Sequence, residues 1–191
     1  MQTFKYLQTL AIAGWGFAAW AESNVTMAPA PVVFASARLD QRVTVPRVIF
    51  LRIGTGTNYA NNAVRDRVTF TVTPGNFASG TPVAGTPSAG PIVAHVLSNG
   101  GDVSFRARGT NGGLNAGGGN RIAWTQIVPA SSSGTLPHPA IGNGVAGPVT
   151  TLLAAAGIVD RSATFTFNYS NSAPVAAGTY NGRVTYTASL P

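Results

Sequence analysis

Ala177-Gly178-Thr179-Tyr180-Asn181-Gly182-Arg183-Val184-Thr185-Tyr186-Thr187-Ala188-Ser189-Leu190-Pro191 is the stretch whose reading decides the fold. Val184, Tyr186, Ala188 and Leu190 alternate with Thr185, Thr187 and Ser189. Side chains in a strand point to opposite faces in turn, so this pattern predicts a half-buried strand with an apolar inside and a polar outside. Ser170–Gly178, with Pro174, supplies the turn region before it. The strand closes the sequence, and it is expected to be structural. It is also where a partner that works by strand addition would take hold.

Upstream, Ala163–Tyr169 puts Phe165, Phe167 and Tyr169 on one face. Val103–Arg108 does the same with its apolar residues and places Arg106 and Arg108 outside. Ile92, Ala94 and Val96 form another apolar face, and the following Asn99-Gly100-Gly101 predicts a hairpin turn. Val68–Thr73 alternates without a break. Arg42–Ile53 reads as a strand interrupted by Pro46, which suits a sheet edge or a bend because proline has no N–H for the ladder. Ile122, Trp124 and Ile127 continue a sheet, whereas Thr150–Ile158 fits either a strand or one helical turn. Gly- and Pro-rich loops separate these pieces, among them Gly109–Asn120 and Pro129–Pro148. About seven short strands with turns between them predict an all-β sandwich in one domain. Phe70, Phe105, Trp124, Phe165, Phe167, Tyr169 and Tyr186 fall on strand faces and are most simply core.

The start of the chain reads differently. Lys5 precedes an apolar run from Tyr6 to Trp20, and Ala19-Trp20-Ala21 offers a small-x-small cleavage pattern. Residues 1–21 are therefore expected to be an export signal, too short to serve well as a membrane span, with no integral membrane segment after cleavage. Glu22–Ala37 is an apolar leader holding Val25, Met27 and Val33 but broken by Pro29 and Pro31, so it is expected to be extended. Residues 38–191 make up the sandwich.

Lysines and arginines number 12 against 5 acids. The arginines are spread along the chain and several neighbour acids, as in Arg65-Asp66-Arg67, so no basic stripe marks a nucleic-acid surface. There is no cysteine, which excludes thiol catalysis and cysteine metal sites and leaves stability to the core, the strands or a partner. His95 and His138 are the only histidines, one in a strand and one between prolines, with no third ligand at metal spacing. No carboxylate pair, nucleophile elbow or phosphate-binding loop appears. The expectation is a non-enzyme with no metal and no cofactor.

The ending Pro174-Val175-Ala176-Ala177-Gly178-Thr179-Tyr180-Asn181-Gly182-Arg183-Val184-Thr185-Tyr186-Thr187 resembles the closing hairpin of chaperone–usher pilins, most of all archaic-type fimbrial subunits and spore-coat-U-like domains. The export signal and the alternating strand at Val68–Thr73 fit the same pattern. The resemblance implies an immunoglobulin-like sandwich that lacks one strand and is finished by a donated one. It implies a periplasmic chaperone and an outer-membrane usher as partners. It also implies a homo-polymer of like subunits, forming an extracellular fimbria on a bacterial surface that serves adhesion or biofilm formation.

Carried onto this chain, Glu22–Ala37 is the donor extension, with Val25, Met27 and Val33 as plugging residues. Val184, Tyr186, Ala188 and Leu190 form the acceptor edge, with the strand near Val43–Ile53 on the other side of the groove. Many such subunits carry a disulfide and this chain has none. Pro29 and Pro31 prevent a fully paired donor from running through them, so the plug is either Asn24–Ala28 or Val32–Leu39. The alternative is a self-complete secreted sandwich that binds a glycan or surface ligand through its long loops.

Overall fold

The computed structural model describes residues 24–25, 34–56 and 65–191. The predicted signal, Met27 and Val33 lie outside these residues. The chain divides into two units, Met1–Val45 and Pro46–Pro191. In the first, the described residues carry neither helix nor strand. Its apolar side chains are exposed, Val25 at 80% and Leu39 at 83%.

The second unit is an all-β sandwich. Its strands in chain order are β1 (Ile49–Ile53), β2 (Val68–Thr69), β3 (Val83–Ala84), β4 (Thr86–Pro87), β5 (Ile92–Ser98), β6 (Val103–Gly109), β7 (Leu114–Gly117), β8 (Asn120–Ile122), β9 (Ile127–Ser131), β10 (Ile141–Asn143), β11 (Thr150–Leu152), β12 (Val159–Tyr169) and β13 (Val184–Ser189). One sheet runs β1-β5-β12-β3, with β9 on the other side of β12. The second centres on β6, flanked by β13 on one side and by β10 and β11 on the other. All pairings in the two sheets are antiparallel except β10 with β6.

Alternation sets the faces. Ile92, Ala94, Val96 and Ser98 of β5 point inward against Val103, Phe105 and Ala107 of β6. Val159, Ala163 and Phe165 of β12 complete the main cluster, with Leu136 and Leu152. A second cluster gathers Ile122, Trp124, Ile127 and Tyr169. Fully burying a side chain of Val-to-Phe size contributes about 1.5–3 kcal/mol, so these residues hold a chain that has no disulfide.

Three expectations are corrected. The Asn99-Gly100-Gly101 turn does not close a hairpin, because β5 has both edges taken by β1 and β12, and β6 belongs to the other sheet. The turn is a crossover. The strand over Arg42–Ile53 is confined to β1. Asn99 replaces strand pairing at Pro46–Val48: its Nδ2 donates to Pro46 O (2.8 Å), and Val48 N donates to its Oδ1 (2.7 Å). Val68–Thr73 keeps only β2, because the 3-10 turn Pro74–Asn76 draws the backbone away and Thr73 N bonds Asn76 Oδ1 instead of a neighbouring strand. The open alternative at Thr150–Ile158 resolves to a strand, β11, followed by a tight turn in which Ala155 and Ile158 bond each other. Ala156 and Gly157 take positive φ there, as such turns require.

Trp124 wedges between two backbones at the end of the sandwich far from the Asn99–Gly101 turn. Its Nε1 donates to Thr110 O (2.8 Å). A Cβ on Gly109 would lie 2.2 Å from Nε1, and one on Gly182 would lie 2.8 Å from the ring. Gly109→Ala is expected to destabilise the protein by about 1–3 kcal/mol, as overpacking does. Gly75→Ala, where a Cβ meets nothing within 4 Å, should leave the urea midpoint unchanged. Equal midpoints for the two variants would contradict the wedge.

Candidate functional site: a cleft between two sheet edges

β1 and β13 are the edge strands of their sheets, and among the described residues no strand pairs with the outer edge of either. Their Cα atoms approach within 8 Å. Register fixes their directions. β1 leaves the Asn99–Gly101 turn with Ile49 opposite Ser98 and reaches Ile53 opposite Ala94. β13 starts at Val184 opposite Gly109 and runs back toward Ser189 opposite Ser104. The two edges are therefore antiparallel to each other.

A cavity of about 650 Å³ opens between them at the end far from the turn. Leu51 and Ile53 of β1 form one wall, and Val184 and Tyr186 of β13 the other. Ile92, Phe167, Trp124, Ile127, Leu114 and Ile141 form the floor, so the cleft reaches the interior between the sheets. Its mouth is charged, with Arg65, Asp66, Arg67 and Arg183. Asp66 is engaged: Thr55 N donates to its Oδ2 (2.6 Å) and Thr55 Oγ1 donates to its Oδ1 (3.0 Å). This ties the end of β1 to the strip that borders the mouth. Gly54 turns there at φ +98, and a Cβ on it would meet Asp66.

Of the acceptor residues predicted from sequence, Val184 and Tyr186 line the cleft. Ala188 lies further along β13 and Leu190 just past its end; both pack against the main core cluster, with Leu190 against Gly100 at the turn. On the opposite wall only the Ile49–Ile53 part of the predicted strand contributes, since Val43 and Val45 are exposed and outside any strand. Val25 is exposed, while Met27 and Val33 fall outside the described residues. Sequence reasoning missed the floor residues Trp124, Leu114 and Ile141 and the mouth arginines. Their positions along the chain carry no shared signal; only folding brings them together.

His138, which the sequence places between two prolines, is packed beneath the cleft wall. Its ring sits among Phe165, Phe167 and Tyr186, with centroids 4.7, 5.4 and 5.4 Å away. Its Nε2 is hydrogen-bonded to the Tyr186 hydroxyl (2.7 Å), and its buried Nδ1 has no hydrogen-bond partner. Burial lowers its pKa to about 4, with the Pro139 backbone opposing part of that shift. Burial also raises the Tyr186 hydroxyl pKa. His138 thus supports the wall of the cleft as a neutral, packed ring. His95 lies on the outer face, 2.9 Å from Asp160. Among the described residues no three His, Asp or Glu side chains come together as metal ligands.

The arrangement can take up an extended apolar segment. Two unpaired strand edges offer main-chain donors and acceptors, and the floor offers apolar surface. Comparison of the chain with protein-family models, with curated proteins and with solved structures finds no match.

The buried imidazole sets a pH dependence. Below its ordinary pKa of 6.5 the unfolded chain takes a proton that folded His138 refuses until about pH 4. Stability from this group is complete above about pH 6.5, falls by up to about 1.4 kcal/mol per pH unit below it, and levels off near pH 4. Urea midpoints measured from pH 7 to 4.5 should fall, and His138→Gln should flatten the curve. A variant that keeps the wild-type slope would show that another group carries it.

Proposed function

We propose that this chain is a structural subunit of a chaperone–usher type surface fimbria, polymerising by donating its N-terminal segment to the next copy and serving adhesion or biofilm formation. The observation that carries this reading is the cleft between β1 and β13, which reaches the interior of the sandwich between two strand edges that are unpaired among the described residues. An edge of that kind, left bare, invites aggregation, so a chaperone is needed until a neighbour fills it. The leader supplies the complement in kind: Leu39 and Val43 are apolar and exposed in a stretch with no strand of its own. Each anchoring side chain that enters the cleft adds about 1.5–3 kcal/mol, and each strand hydrogen bond about 0.5–1.5 kcal/mol. The ending at Pro174–Thr187, with its resemblance to pilin closing hairpins, points the same way.

The polarity of β13 makes the test specific. β13 ends at the turn pole, so a segment fused after Pro191 through about four Gly/Ser residues can only enter antiparallel to it. A chain lacking residues 1–45, with residues 22–45 placed after that linker, is expected to be a soluble monomer. A net gain of ~3 kcal/mol would raise its Tm by about 6–12 °C over the same chain without the fused segment. A truncated chain that is already a stable monomer, with a Tm that the fused segment does not raise, would sink the reading. It would leave the cleft as a ligand pocket of a self-complete binding module, and its volume lies in the usual range for one.

A further inference from the structure

Resting on that reading, we infer that the occupant of the cleft is the Val33–Asp40 segment of a second copy, held in one register by Asp40 pairing with Arg183 at the mouth. Two prolines exclude the competing segment from a long pairing: Asn24–Ala28 ends at Pro29, with Pro31 next. From residue 32 to Val45 every residue keeps its N–H. Within that stretch Val33, Ala35, Ala37 and Leu39 share one face, and Phe34, Ser36, Arg38 and Asp40 share the other.

The topology supplies the direction. The second unit begins at Pro46, pinned beside the Asn99–Gly101 turn, while the cleft opens at the opposite end. A segment of one copy therefore enters the far end of the next. The contact is head-to-tail, which propagates into a filament rather than closing into a dimer. The inserted segment has its C-terminal end at the mouth, so it runs antiparallel to β13. Asp40 then emerges at the mouth just after Leu39.

Charge selects the register. Asp40 is the only acid between Ser23 and Val45. Arg65, Arg67 and Arg183 are exposed at the mouth, and among the described residues their guanidinium groups have no partner. Arg183 precedes the inward Val184 by one residue, so it faces outward, as Asp40 does beside the inward Leu39. Setting Asp40 opposite Arg183 places Leu39 beside Val184, Ala37 beside Tyr186 and Ala35 beside Ala188. The large Leu39 meets the open part of the cavity, and the small Ala37 meets the large Tyr186 ring. In the same direction Glu22 would lie at the N-terminal end of an Asn24–Ala28 insert, away from the arginines.

The chain has no native cysteine, so proximity can be trapped in the full protein. Opposed strand residues lie at disulfide distance. Under oxidation the Asp40→Cys/Arg183→Cys protein should give a ladder of covalent multimers, and Thr26→Cys/Arg183→Cys should not. In proteins without added cysteines, Asp40→Arg should weaken multimer formation about two- to fivefold, as a partly exposed pair does. Asp40→Arg/Arg183→Asp should restore it. Multimers that cross-link through position 26, or through neither position, would overturn this register while leaving strand donation standing. A full chain that forms no multimers at any concentration would overturn strand donation itself.

Discussion

Backbone groups at a sheet edge need partners, and the architecture of this protein turns on two edges that have none within the described chain. β1 closes one sheet and β13 closes the other, side by side and antiparallel. Were they bonded to each other, the two sheets would join and the interior would be sealed. Instead a cavity separates them, floored by Phe167, Trp124 and Ile127. The apolar residues that stabilise the sandwich are thus also the residues that line its opening. Stability and binding draw on the same surface.

The two ends of the sandwich are built differently. At the turn pole, the Asn99 side chain holds Pro46 and Val48, and Arg47 Nη2 donates to Gly100 O (2.8 Å). Leu190 packs on Gly100 at that same pole. At the opposite pole the backbone is kept apart by Trp124 between Gly109 and Gly182, while Asp66 ties Thr55 to the mouth. A closed end and an open end give the cleft a direction. Beneath its wall, His138 braces Tyr186 through a hydrogen bond and one ring contact, and packs against Phe165 and Phe167. The cost of keeping that imidazole neutral links the shape of the wall to pH.

The long strands were legible because alternation with period two survives wherever one face is buried. β5, β6 and β12 bury the residues their patterns assign, and β13 half-buries its own. The failures share a cause. Val68–Thr73 alternates as well as any strand and Arg42–Val45 does so up to Pro46, yet the side-chain amides of Asn76 and Asn99 take backbone groups at Thr73, Pro46 and Val48 that pairing would have used. Asn99-Gly100-Gly101 has hairpin chemistry, but a turn residue reports only that the chain reverses, not which sheet receives the next strand. The glycine-rich Gly109–Asn120 tract holds a short hairpin, β7 with β8, turned by Gly117, Gly118 and Gly119 at positive φ.

By itself the sequence determined the fold class, the inward faces of the main strands and the half-buried character of Val184–Leu190, because each depends on residues close together in the chain. Tertiary structure alone decided that β1 and β13 would both be edges, that they would lie at one flank, and that Trp124, Leu114, Ile141 and Arg183 would meet there. Edge status depends on which other strands compete for the same backbone groups. That competition spans the whole chain, and no local pattern records its outcome.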